Sequence, residues 1–249
     1  MLNATCTFEE PIYVIVAQYF CAAFSIPIYG TAFFVLLFTC PSHFNNYRNY
    51  LVVHIISGVL LELHMSIFWK LDVVLPWPIM CSTGLGADFA AASFQIFIIL
   101  IIFTGVSIVS LFVHRMNVAT QVTLKTRLQK AVFFMNHSFH LCVCFLLIML
   151  VFIHSDLLNQ KEYKIEMEVK WGRFPAYFWC DNCFFMRFDS AIYLVFFFLA
   201  YVTITIAFLT GVSAVIVSVR TLFSSAIPLS VRTIKIQKNF LKSLFITAS

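Results

Sequence analysis

Five stretches of this chain lose the usual alternation of polar and apolar residues; the first, third and fifth contain no Asp, Glu, Lys or Arg, while the second holds His54, Glu62 and His64 and the fourth His137 and His140. They run from about Ile12 to Phe38, Tyr50 to Trp69, Phe89 to Val113, Ala131 to Ile153 and Ala191 to Val219. Each is long enough to cross a hydrocarbon layer of ~30 Å, which takes about 20 helical residues. A soluble helix keeps a polar face, so apolarity sustained over this length predicts membrane spans. Tilted membrane strands need only about 10 residues and alternate with period two, which excludes a barrel. The expected fold is therefore all-α, a polytopic transmembrane helix bundle forming one domain over residues 1–249, without internal repeats or a separate soluble part.

Composition supports the pattern. Hydrophobic residues make up 61% of the chain and charged residues 11%, with a mean hydropathy of +0.94; soluble domains are roughly 25% charged. Thirty phenylalanines are tolerable because side chains that face lipid need no core to hide in.

Charge sorts the connections into two sets. Segments 39–49, 114–130 and 220–249 carry ten basic residues and no acid, among them Arg48, Arg115, Arg127 and Arg220. Segments 1–11, 70–88 and 154–190 carry six basic residues and ten of the eleven acids. The positive-inside rule makes the first set cytoplasmic and places the N-terminus outside. The opening "MLNATCTFEE" holds acids where a signal peptide has a basic region, so no cleaved leader is expected. Asn3 begins a glycosylation sequon, Asn3-Ala4-Thr5, usable only on the outer side.

Four cysteines, Cys6, Cys81, Cys180 and Cys183, fall in the outer set, where disulfides persist, and four cysteines permit three pairings. "WCDNC" has redox C-x-x-C spacing but no thioredoxin-like surroundings, so structural bonding is the better reading.

Three motifs then converge. "SLFVHRMNVA", Ser110 to Ala119, ends the third span on His114 and Arg115. "NNYRNYLVVHIISGVLLE", Asn45 to Glu62, combines Tyr-Arg-x-x-Leu with a later histidine and acid, and "LPWPIMCSTGLG", Leu75 to Gly86, precedes span three. Together they resemble the nematode serpentine chemoreceptors, seven-transmembrane G-protein-coupled receptors, with the class I group the nearest match beside class H. The resemblance covers about the first 130 residues by motif and the rest by hydropathy and placement.

That resemblance implies a rhodopsin-like topology in which a small chemical ligand is recognised by the outer half of the bundle. His114 and Arg115 would form the coupling motif toward a heterotrimeric G protein, and Glu62 would match the acidic site of helix two. It implies a bridge from Cys81 to Cys180 or Cys183, pinning the long outer loop, and a plasma-membrane location, in the cilia of sensory neurons. The family has seven spans, whereas "RTIKIQKNFLKSLFITAS", Arg232 to Ser249, reads as a third inner loop and the start of a sixth helix. On this reading the chain holds five full spans, helices six and seven are absent, and the chain alone is not expected to signal.

Each singled-out residue also has a plainer reading. Glu62 is the one acid inside a span and should be protonated or paired and turned toward the bundle. His54 is expected to be a packed, hydrogen-bonded histidine rather than a proton relay. The alternative for Arg115 is an anchor that snorkels to headgroups. His137, His140, Cys142 and Cys144 cannot converge on a metal from one helix, and helix packing is expected of them. In the outer loop, "EYKIEMEVKW" alternates and allows a short hairpin strand. Trp69, Trp77, Trp171 and Trp179 suit an aromatic belt at the outer face.

Competing readings are a transporter or channel subunit with Glu62 and His54 lining an ion path, and a non-signalling membrane partner of full-length receptors. An odd span count without an inverted repeat speaks against the transporter. No catalytic motif, cofactor loop or metal-ligand spacing is present, so the chain is not expected to be an enzyme or to hold a cofactor. Its expected surroundings are a lipid bilayer, a small ligand and a G protein, with no nucleic acid.

Overall fold

The structure, a computed structural model, describes residues 12–38, 45–74, 79–120, 127–158, 160–187 and 189–223. Five long apolar helices run through the five apolar stretches: α1 (Ile12–Phe38), α2 (Asn45–Leu63), α3 (Ala90–Thr120), α4 (Arg127–Leu158) and, last in the chain, α6 (Ala191–Phe223). A shorter helix, α5 (Gln160–Trp171), lies between α4 and α6. Three short strands, β1 (Leu71–Val74), β2 (Ile79–Ser82) and β3 (Cys183–Phe185), form an antiparallel sheet in that order. It caps one end of the bundle. The other end, where α2 begins and α3 ends, carries Arg48, Arg115, Arg127, Lys130 and Arg220 among the described residues.

The bundle is centred on α3, which packs against α2, α4 and α6. In lipid there is no hydrophobic drive to bring helices together, so close packing and interhelical hydrogen bonds must do it. Two buried clusters supply that packing. Near the capped end, Trp69, Phe94, Leu150, Ile153, Tyr193 and Phe196 interlock. Near the basic end, Val113, Met116, Val132, Phe139, Ala214 and Val217 do the same. Helix α1 stands apart, resting mainly on α2 with its apolar side chains turned outward. Its Pro27 lacks the N–H that would donate to the Ala23 carbonyl, and one turn further on Thr31 Oγ1 donates to the Pro27 carbonyl at 2.7 Å.

Helix α2 closes with a π-helical turn, His64–Trp69, and then reverses through Lys70, whose φ of 44° is left-handed. The reversal needs partners for the last carbonyls of the helix. Residues 83–86 provide them: the N–H groups of Thr83, Gly84, Leu85 and Gly86 donate to the carbonyls of Lys70, Trp69, Ile67 and Phe68. The returning backbone lies so close that a side chain at Gly84 would strike the Phe68 carbonyl group.

The cap is a small domain with its own interior. Cys81 on β2 is bonded to Cys183 on β3, its register partner, with Cα atoms 4.0 Å apart. Ile79, Tyr163, Met167, Phe174, Phe178 and Phe185 pack around that bond. Cys180 sits in a disulfide of its own, so the C-x-x-C pair is not closed on itself, as the structural reading of "WCDNC" anticipated. Cys6 and Asn3 lie outside the described residues, as does the chain beyond Phe223.

Two expectations fail here. "EYKIEMEVKW" is helix, not hairpin, because the alternating apolar positions Ile165 and Val169 face solvent while Tyr163 and Met167, four apart, share the buried face. Trp69 is not in a belt at the surface: it is fully buried, its ring 5.0 Å from that of Phe97. Trp171 and Trp179 are exposed, and Trp77 lies outside the described residues.

Candidate functional site at the basic end and along helix two

At the basic end, α2 and α3 meet through aromatic and cationic side chains. Tyr47 and Tyr50 lie three residues apart in the first turns of α2 and so project from one face. His114 of α3 packs against both, its ring 4.7 Å from Tyr50 and 6.4 Å from Tyr47, nearly parallel to the latter at 12°. The Arg115 guanidinium lies 4.2 Å above the Tyr47 ring, and the two side chains are also hydrogen-bonded. A cation over an aromatic face gains most where water is scarce, roughly 2 kcal/mol against less than 1 at an exposed site. Arg115 is half-buried. It folds back onto α2, a geometry that does not require the snorkelling expected of a plain anchor.

The same end of α3 is tied to α4. Met116 is fully buried, and the Thr120 hydroxyl accepts from Gln129 Nε2 at 2.8 Å. Three helices thus fix the position of the His114-Arg115 pair.

Two turns deeper, His54 of α2 meets Ser107 of α3, Nδ1 to Oγ 3.0 Å. The proton inventory fixes the direction. Ser107 donates its one hydroxyl proton to the Thr104 carbonyl at 2.7 Å, and Ser57 donates its own to the His54 carbonyl at 2.7 Å. The histidine must therefore donate from Nδ1 to Ser107, which assigns the Nδ1–H tautomer. Ser57 and Ser107, 3.4 Å apart, complete a polar contact inside otherwise apolar helices. His64, nearer the cap, is buried with Nε2 2.8 Å from the Ser93 carbonyl. Both histidines are hydrogen-bonded packing residues in this arrangement.

Glu62 is placed elsewhere. Eight residues after His54 it has turned away from α3 and lines a groove of about 450 Å³ between α1 and α2. His54 and Glu62 therefore do not form one site. Tyr47 stood in the Tyr-Arg-x-x-Leu motif of the sequence without a structural role, while its pairing with Tyr50 and the serines Ser57 and Ser107 escaped the sequence reading. A tyrosine pair at helical spacing beside a basic motif, and lone serines in apolar runs, were the signals available.

These features define a multi-pass membrane helix bundle with a disulfide-bonded cap, in which one set of connecting segments is basic and the other holds ten of the eleven acids. The chain matches the family of serpentine type 7TM GPCR chemoreceptors, Srh, over residues 9–249, and belongs to it. The motifs placed class I nearest with class H beside it; the family matched is class H. Comparison with curated proteins and with solved structures gave no match.

Proposed function

We propose that the chain acts as a chemosensory receptor in the plasma membrane, with the cap outside, a small molecule recognised in the capped half and a heterotrimeric G protein engaged at the basic end. The observation that carries this reading is the cluster of Tyr47, Tyr50, His114 and Arg115. Two helices converge there on a guanidinium whose five donors are matched to carbonyl and carboxylate groups of a partner. Tyr47 holds that guanidinium in the structure, and on this reading coupling requires its release. Membership of a receptor family supports the reading.

The test is ligand-evoked signalling of a seven-span version carrying these residues, at matched surface expression. Arg115→Ala and Arg115→Lys should both lose most of the response, because lysine keeps the charge but not the planar fork. Undiminished signalling by both variants would reduce Arg115 to an anchor and remove the coupling site.

A further inference from the structure

Cys180 is buried in the cap and joined in a disulfide, yet neither of the other cap cysteines is available to it, because Cys183 is bonded to its register partner Cys81. The backbone holds these assignments apart. The Cys180 carbonyl accepts from the Cys183 N–H at 3.2 Å and from Lys164 Nζ at 2.8 Å, while the Cys180 N–H donates to the Tyr177 carbonyl at 3.2 Å. Asn182 Nδ2 donates to the Ser82 carbonyl at 3.1 Å and fastens the turn between the two cysteines to the end of β2. An exchange of partners between Cys180 and Cys183 would break this arrangement.

The partner of Cys180 can be reached by elimination. The chain has eight cysteines, of which Cys21, Cys142 and Cys144 are free thiols. With Cys81 and Cys183 also accounted for, Cys6 and Cys40 remain, both outside the described residues. Topology separates these two. Three spans, α2, α3 and α4, lie between Cys40 and Cys180, an odd number that puts them on opposite sides of the membrane. Cys40 follows Phe38, the last residue of α1, by two positions, and the 27 residues of that helix are roughly 40 Å long. Cysteines whose Cα atoms are more than about 7 Å apart cannot be bridged without moving the backbone. Four spans lie between Cys6 and Cys180, which returns the chain to the side on which it began. Reach is sufficient as well. Six positions separate Cys6 from Ile12, up to about 20 Å of extended chain, and the N-terminal half of α1 lies beside the turn that closes α2, with Lys70 Nζ 5.4 Å from the centre of the Tyr19 ring.

We propose that Cys6 is bonded to Cys180, so that the segment before α1 is covalently part of the cap. Each thiol gives up one hydrogen; the two electrons and two protons pass by exchange to a disulfide of an oxidising protein, which leaves as a dithiol. The two bridges then do different things. Cys81–Cys183 closes the sheet, and Cys6–Cys180 keeps the start of α1 within six residues' reach of the connection between α4 and α6. Neither depends on the receptor reading.

The test uses the whole 249-residue chain made in a secretory membrane, with free thiols alkylated by N-ethylmaleimide before denaturation. Cleavage before Asp181 separates Cys180 from Cys183, so the two bridges give different cross-linked peptides by mass. One should contain Cys6 and Cys180 and disappear with reductant. A second measurement does not rely on recovering that peptide. With Cys81→Ser and Cys183→Ser removing the sheet bond, and a protease site placed between Ala119 and Leu128, the cut fragments should remain joined on a non-reducing gel. Adding Cys6→Ser should release them, whereas Cys40→Ser should not. Cys6 found alkylated in the unmodified chain overturns the proposal. So does Cys180 found joined to Cys40, or a bond linking isotope-labelled to unlabelled copies.

Discussion

A β-carbon added at Gly84 would lie 2.6 Å from the Phe68 carbonyl carbon, whereas one at Gly105 meets nothing within 4 Å. The first position has no flexible neighbour to move, only the backbone that closes α2. Gly84→Ala should therefore lower the thermal midpoint of the purified chain sharply, while Gly105→Ala should leave it unchanged or raise it by the helix preference of alanine, roughly 0.5–1 kcal/mol. A drop of equal size in both variants would contradict this account of the turn. Ser107 offers a gentler test. Ser107→Ala leaves the His54 Nδ1–H without its acceptor, at a cost of about 1 kcal/mol, near the upper part of what interhelical hydrogen bonds contribute in bilayers. None of these contacts was legible in the sequence. Each joins residues that lie many positions apart, and hydropathy carries no information about which serine meets which histidine.

Helix α5 shows why the cap was harder to read than the spans. In "EYKIEMEVKW" period two and the i, i+4 pair Tyr163 and Met167 compete, and burial of the second decides. The choice depends on Phe178 and Phe185, which reach the helix from other elements. The same burial sets its titration. Lys164 is nearly inaccessible and donates to the Cys180 carbonyl at 2.8 Å; loss of water pulls its pKa down to about 8, with Asp181 opposing. Between about pH 8 and its ordinary value of 10.5 the unfolded chain holds this proton and the folded cap does not, so stability rises with pH there. Tyr163 works the other way. Burial, and its donation to Asp189 at 2.9 Å, raise its pKa above the ordinary 10.0, so the unfolded chain loses that proton first and stability falls above pH 10. Cap stability should peak near pH 10. Lys164→Met should abolish the rising limb, read as thermal midpoints by tryptophan fluorescence at pH 7 and 9.5. An unchanged rise in the variant would assign it to another group.

For the whole molecule, hydropathy was enough for the five helices, because a bilayer demands satisfied backbone and apolar surface from every span regardless of its neighbours. The cap follows a different logic: it joins two connections 102 residues apart through Cys81 and Cys183, and its strands are too short to announce themselves. In the chain-entropy picture a loop of about 100 residues contributes roughly 4–5 kcal/mol, an upper bound here because membrane helices remain helical when separated. Cys183→Ser should accordingly leave the spans inserted but make α5 sensitive to protease added from the cap side. Orientation is the remaining global property, and it rests on charge alone: ten basic residues and no acid on one set of connections, against six and ten on the other. Such a bias acts at insertion, when each arginine or lysine resists transfer across the membrane, so it should fix the topology before the bundle packs. A tag at the N-terminus should be accessible to antibody on intact cells, and a tag between Ala119 and Leu128 only after permeabilisation. The opposite pattern would turn the disulfide-bonded cap toward the reducing side of the membrane and Arg115 away from any G protein, and the proposed function would fall with it.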